Sequence, residues 1–260
     1  MKKGVFYIIL GLLISLHSIA QDGISASKWQ TKPLIIDGND NEWPKPFSFF
    51  DTQSALMFSI SNDDKNLYLC FSNNDRMKTS KMMKAGWSIE LFSSEKKRKF
   101  DVSIIFPNSI DPGINKQSDF NAAIQIYKSE IQTVKTKGFL LTKTEINLSN
   151  NSGINIVVGA DSTEKIVYEI KIPLKELMAE SLIQLNEVIT LDLTINSIEK
   201  PKGANSMSST RSSFSSGGGR GGHGGGRGSG GYNKINSGVY DQSGLFEKVN
   251  FKQKIKLVKQ

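Results

Sequence analysis

Residues 167–172 read Val-Tyr-Glu-Ile-Lys-Ile, a run in which apolar and polar side chains tend to alternate. Successive side chains of a β-strand point to opposite faces, so a period of two residues predicts a strand. Residues 100–104, which read Phe-Asp-Val-Ser-Ile, alternate in the same way. These two stretches indicate that the chain is built from sheets, and the rest of the sequence agrees with them.

Short apolar runs recur along the chain, separated by turn-forming pairs and triplets such as Asp37-Gly38 and Asn73-Asn74-Asp75. About ten strands at such spacing predict an all-β fold, a two-sheet antiparallel β-sandwich of the jelly-roll kind. Helix is expected to be scarce, and its best candidate is Pro173–Ala179. The runs interpreted as strands are residues 34–36, 55–60, 67–71, 87–92, 100–106, 122–127, 138–146, 154–158, 166–172, 188–195 and 249–258.

The N-terminus has the pattern of an export signal. Lys2 and Lys3 precede an apolar run over residues 5–16, and Ser18-Ile19-Ala20 places small residues where a signal peptidase cuts. We expect residues 1–20 to be removed before Gln21, leaving no transmembrane segment and a protein that is periplasmic, on the outer surface or secreted. The single cysteine, Cys70, allows neither an intrachain disulfide nor a lipid anchor at the cut.

Residues 21–260 are expected to form one β-sandwich domain, interrupted at 203–238 by a Ser/Gly/Arg-rich segment. This segment has too few apolar residues to fold, so it is predicted to be disordered. Strand-like sequence resumes after it, which indicates a loop within the domain and not a tail or a linker. The whole chain has a formal net charge of +8. Two of these charges are the signal-peptide lysines and four are the cations of this segment, which contains no acid, so the predicted folded part has a net charge near +2. The folded part is therefore not basic enough to suggest nucleic acid as a partner.

Three stretches together resemble family 9 carbohydrate-binding modules and their DOMON-like relatives. Residues 33–43, Pro-Leu-Ile-Ile-Asp-Gly-Asn-Asp-Asn-Glu-Trp, resemble the opening motif P-x-I-D-G-x-x-D-E-W, although Asn41 replaces one of its acids. Residues 64–71 and 168–177 resemble two later family stretches in the same order. The resemblance implies an antiparallel sandwich that binds sugars without catalysis, at a surface where two tryptophans clasp the ligand.

The chain has three tryptophans, and Trp87 is the one that the sequence favours as a ligand contact. Trp43 lies in the opening motif, where a core role is expected, and Trp29 precedes the first predicted strand, where chain ends are often mobile. Trp87 stands where a loop meets a strand, a common place for sites in sandwiches. The alternative is a core position, because Trp87 alternates in step with Ile89 and Leu91.

Asp37, Asp40 and Glu42 surround Gly38 and form a candidate calcium site, since Ca²⁺ prefers several oxygen ligands from a tight loop. The alternative is a turn in which Asp37 bonds to its own backbone. No other cofactor is predicted.

No catalytic constellation can be identified in the predicted folded part. After signal removal the remaining histidine is His223, inside the Gly-rich segment, which argues against a Ser-His-Asp triad or a His-rich zinc site. The leading interpretation is an exported, non-catalytic module whose partner is a carbohydrate or envelope polysaccharide. The alternatives are a structural or adhesive envelope protein that displays the loop, and an accessory domain of a glycan-processing system.

Overall fold

The computed structural model describes residues 23–93, 100–109, 120–142, 144–148, 153–161, 163–177, 188–199 and 243–259. The predicted signal peptide and the Gly-rich segment lie outside these residues. No helix in the described part of the chain is long and apolar enough to cross a membrane.

The described residues form strands far more often than helices. Two α-helices are present in this part of the chain, α1 (Arg76–Ala85) and α2 (Phe120–Glu130). The strands are β1 (Ile24–Ala26), β2 (Lys28–Trp29), β3 (Phe49–Asp51), β4 (Leu56–Asn62), β5 (Asn66–Asn73), β6 (Trp87–Phe92), β7 (Asp101–Phe106), β8 (Thr133–Lys137), β9 (Glu145–Asn147), β10 (Asn155–Ala160), β11 (Ile166–Pro173), β12 (Val188–Ile195) and β13 (Val249–Lys256).

The strands make two sheets. One has seven strands in the order β1-β13-β12-β6-β7-β8-β9, and the other has six, in the order β10-β11-β5-β4-β2 with β3 also paired to β4. The pairings of β1 with β13 and of β2 with β4 are parallel, and the other recorded pairings are antiparallel. The prediction of an all-β, two-sheet sandwich is confirmed.

The inner faces of the two sheets meet in one large apolar core. Strand β6 shows how the alternation works, since Trp87, Ile89 and Leu91 are buried while Glu90 is exposed. Phe58 of β4 stacks on Phe71 of β5 within the same core. Full burial of side chains of this size stabilises the fold by about 1.5–3 kcal/mol each.

Both α-helices were missed by the strand-based interpretation. Helix α1 begins after Asp75, whose carboxylate accepts a hydrogen bond from the Lys78 backbone N–H, an N-cap. The strand predicted over residues 122–127 is wrong, because these residues belong to α2. The buried residues of α2 recur at helical spacing; they are Phe120, Ala123, Ile124 and Tyr127.

Three other predicted segments also differ from the structure. The strand predicted over residues 138–146 is wrong for most of its length, because Gly138, with φ +82°, follows the end of β8 and β9 begins only at Glu145. Pro173–Ala179 contains only a short 3₁₀ turn, Leu174–Glu176, within its described residues. Residues 34–36 form no strand and instead cover the outer face of the six-stranded sheet.

Strands β12 and β13 are neighbours in the seven-stranded sheet, although residues 196–248 separate them in the chain. This pairing is what an insertion between two adjacent strands requires. The division into one domain with a loop at 203–238 stays a prediction, since the loop itself lies outside the described residues.

Candidate functional site

The structure places Trp87 in the core. Its side chain is 0% exposed, and its ring stacks on Phe106 with ring centroids 4.3 Å apart. Phe71 and Tyr168 contact it edge-on. Trp87 lies on the inward face of β6 together with Ile89 and Leu91. Its indole therefore has no free face for a ligand, and Trp87 is not part of the candidate site.

Trp43 is also buried, but on the other side of the six-stranded sheet. It packs with Tyr68, Cys70 and Val167 on the outer face of that sheet. Its indole N–H donates to Glu169 Oε1 at 2.6 Å. The core role expected for Trp43 is therefore filled in a second, smaller apolar layer.

Glu169 fixes the whole opening motif to the sheet. Its Oε2 accepts from the backbone N–H groups of Asp37, at 3.0 Å, and Gly38, at 2.7 Å. Burial raises the pKa of the Glu169 carboxyl above its ordinary value, and the hydrogen bonds from Trp43, Gly38 and Asp37 offset part of that rise. Gly38 has φ +86°, and a Cβ there would meet the Gly159 backbone at 2.9 Å.

The residues predicted to bind calcium have other roles in the structure. Asp37 is exposed, and its carboxylate accepts a hydrogen bond from the Asn39 backbone N–H at 2.8 Å. This is the turn that was the alternative to a calcium site. Asp40 is 4% exposed and pairs with Lys45 at 2.8 Å and with Lys165 at 3.0 Å. Glu42 is exposed, and no three acidic, His or Cys side chains in the described residues are arranged to hold a metal ion.

The two lysines give Asp40 the positive neighbours that a calcium ion would otherwise supply. Burial alone would raise the pKa of Asp40, but the hydrogen bonds and charges of Lys45 and Lys165 outweigh it, so the pKa lies below its ordinary value. A cation would have to displace both ammonium groups. The structure thus gives this carboxylate a role in holding the loop, and the calcium site stays a prediction.

Trp29 lies in an open cleft of about 200 Å³ at one end of the sandwich. The cleft is lined by Trp29, Gln30, Thr31, Lys32, Pro33, Asp63, Asp64, Lys65 and Asn66. Strand β2 holds the indole in place, because Trp29 pairs with Asn62 of β4 and the Gln30 N–H donates to the Asn62 carbonyl at 2.8 Å. Trp29 does not precede the first strand, as the sequence suggested, because it belongs to β2 and is paired with β4.

Asp63 makes the facing wall of the cleft rigid. Its carboxylate accepts from the backbone N–H groups of Lys65, at 2.7 Å, and Asn66, at 2.6 Å, and from the Tyr68 hydroxyl at 2.6 Å. Burial would raise the pKa of Asp63, but these hydrogen bonds outweigh it and the pKa is lowered. The β4–β5 turn therefore presents Asp64, Lys65 and Asn66 in a fixed conformation.

The cleft offers an aromatic ring beside polar and charged side chains. Trp29 is partly buried, and its Nε1 is shielded from solvent without a hydrogen-bond partner among the described residues. The part of the indole that reaches the cleft is therefore carbon, which suits stacking rather than hydrogen bonding. Sequence reasoning missed this site because only the non-local pairing of β2 with β4 brings Trp29 against the β4–β5 turn.

No family model matches the chain, and no curated protein sequence matches it. Among the solved structures to which the chain is similar are two of a family 9 carbohydrate-binding module from Caldicellulosiruptor kristjanssonii. The structure in complex with glucose is 13% identical, with a TM-score of 0.34 over 68% of this chain and 78% of that one. The structure in complex with cellotriose is 12% identical, with a TM-score of 0.35 over 67% and 77%.

Proposed function

We propose that this chain is an exported, non-catalytic module that binds a carbohydrate in the Trp29 cleft. The observation that carries the proposal is an indole held by strand pairing in an open cleft whose other walls are polar. Sugar rings present C–H groups on their faces and hydroxyls around their rims, so they match a site that combines one aromatic face with amides, carboxylates and ammonium groups.

The size of the cleft suits a short contact. About 200 Å³ is below the 300–1,000 Å³ typical of pockets that enclose a drug-sized ligand. One sugar ring fits such a space, and the open side lets the rest of a polymer continue over the protein surface. This favours recognition of a unit within or at the end of a chain.

The carboxylates of the cleft do not support hydrolysis. Glycoside hydrolysis usually needs two acids, one of which is kept protonated by a raised pKa. The pKa of Asp63 is lowered instead, and its oxygens already accept hydrogen bonds from the β4–β5 turn and Tyr68. Binding without catalysis fits this chemistry, and the signal-like residues 1–20 support an envelope or secreted location.

The test is a glycan array probed with residues 21–260, followed by titration of the best ligand against variants. Trp29→Ala should weaken binding about tenfold, because stacking contributes about 1 kcal/mol beyond the area it buries. Trp29→Phe should retain part of the affinity. Phe50→Ala is the matched control, since Phe50 is an aromatic residue, 59% exposed, on β3 outside the cleft.

Thermal melting of each variant separates lost binding from lost folding. A protein that binds no glycan on the array, or one in which folded Trp29→Ala binds as tightly as the wild type, would contradict the proposed function.

A further inference from the structure

Near the Trp29 cleft lies a group of exposed lysines, the lysine strip, which consists of Lys28, Lys254, Lys256 and Lys259. Backbone contacts join the strip to the cleft. The Ser27 N–H donates to the Lys256 carbonyl at 3.0 Å, and the Asn62 side-chain amide donates to the Val258 carbonyl at 2.9 Å. Since Asn62 is also the register partner of Trp29, the end of β13 lies beside the cleft.

Within the described parts of β1 and β12, the register partners of Lys254 and Lys256 include no acid. Lys252, one step before the strip, pairs with Asp192 at 2.8 Å. Lys254 has Thr190 and Ile24 as its register partners, and Lys256 has Val188 and Ala26.

The cleft itself adds two more exposed cations, Lys32 and Lys65. Of its two acids, Asp63 is buried and hydrogen-bonded within the turn, and Asp64 is exposed. Cleft and strip together therefore carry an excess of positive charge on one end of the sandwich, although the predicted folded part as a whole is near neutral.

We propose that the ligand of the Trp29 cleft is an acidic polysaccharide, in which one sugar stacks on Trp29 and the carboxylates of following sugars contact the lysine strip. This inference rests on the proposed function and names its ligand class. Alternate residues of a strand are about 6.6 Å apart, so Lys254 and Lys256 present two cations along one line, and their flexible side chains adapt to the spacing of a polymer.

The structure favours a polysaccharide over other polyanions. Single-stranded nucleic acids are typically held by several aromatic side chains that stack successive bases. Here the cleft lining contains one aromatic residue, Trp29, and the strip contains none. An anionic lipid surface would favour large apolar side chains beside the lysines, and the register partners of Lys254 and Lys256 include only Ile24 as an exposed large apolar residue.

The experiment compares titration of residues 21–260 with polygalacturonate, alginate and hyaluronan, and with methyl-esterified polygalacturonate as the neutral match. At least one acidic polymer should bind more tightly than the neutral match, with an affinity that falls as salt rises. The double variant Lys254→Gln/Lys256→Gln should lose about tenfold, at about threefold per exposed lysine. Lys135→Gln/Lys137→Gln is the matched control, with the same spacing on β8, and should bind like the wild type.

The outcomes separate this inference from the proposed function. If the array finds a neutral glycan whose binding depends on Trp29 and no acidic polymer binds better, the inference fails and the proposed function stands. Equal affinity of wild type and Lys254→Gln/Lys256→Gln for an acidic polymer would also overturn the inference. If single-stranded DNA competes equally and Trp29→Ala leaves polymer binding unchanged, the strip is a general polyanion surface and the proposed ligand is wrong.

Discussion

The clearest test of the fold argument is removal of the Glu169 carboxylate, which is 0% exposed and accepts three hydrogen bonds from the opening motif. In Glu169→Ala the N–H of Gly38 and the indole N–H of Trp43 lose their acceptor inside the protein, at about 1–3 kcal/mol each. Asp37 is exposed, so its N–H can bond to water instead. The burial that raises the pKa of Glu169 shows that the charge itself is costly, which reduces the net loss to about 3 kcal/mol.

Thermal and urea unfolding of Glu169→Ala should therefore show a Tm lower by about 6–12 °C. Glu169→Gln should lose less, because one amide oxygen still accepts. A carboxyl with a raised pKa favours the folded state most below its unfolded pKa of about 4.5, and this contribution is lost as pH rises through the folded pKa. The wild type should thus lose stability relative to Glu169→Gln across that window. Glu90→Ala, at an exposed site on β6, is the control, and a Glu169→Ala variant within 0.5 kcal/mol of wild type would refute the reasoning.

Three further changes probe other contacts. Trp87→Ala should lower the free energy of unfolding by about 3–5 kcal/mol through a core cavity, measured by urea denaturation, and a loss below 1 kcal/mol would contradict its core position. Gly159→Ala places a Cβ 1.8 Å from the Gly38 carbonyl oxygen, so it should cost about 1–3 kcal/mol or more, whereas Gly244→Ala, with no atom closer than 3.8 Å, should melt like wild type. Asp63→Asn should lower the free energy of unfolding by about 1–3 kcal/mol at neutral pH. Because the pKa of Asp63 is lowered in the folded protein, this difference from the wild type should shrink as pH falls below about 3.8. A difference that stays constant from pH 7 to pH 2 in urea denaturation would exclude this cause.

The strands could be predicted because their signal is local. Strand β6 matches its predicted bounds, residues 87–92, since the inner and outer faces of one strand are written in its own alternation. Helix α2 was mistaken for a strand because Ala122–Tyr127 is a short apolar run. Its helical period appears only when Phe120 is counted with Ala123, Ile124 and Tyr127.

The candidate site could not be predicted, because its parts are brought together by pairing between distant segments. Trp29 and Asn62 are neighbours through the parallel pairing of β2 with β4, and no pattern near Trp29 indicates it. The acids around Gly38 were a reasonable metal hypothesis from their spacing. Their actual partners, Lys165 and the backbone near Asp37, depend on the folded arrangement of the loop against β11.

Alternation assigns a side chain to one face of a sheet, but it does not say whether that face meets solvent. Glu169 faces outward from the six-stranded sheet and is nevertheless buried, together with Tyr68 and Cys70, because the opening motif covers that face. The opening motif thus already occupies the part of the outer face on which Trp43 packs. A sugar could reach that surface only by displacing the motif. On the seven-stranded sheet, by contrast, the outward-facing lysines of β13 are exposed, and the end of this strand lies near Trp29. The opening motif therefore stabilises the outer face of the six-stranded sheet. The described surface that combines an aromatic ring with positive charge is a different one, at Trp29 and the end of β13.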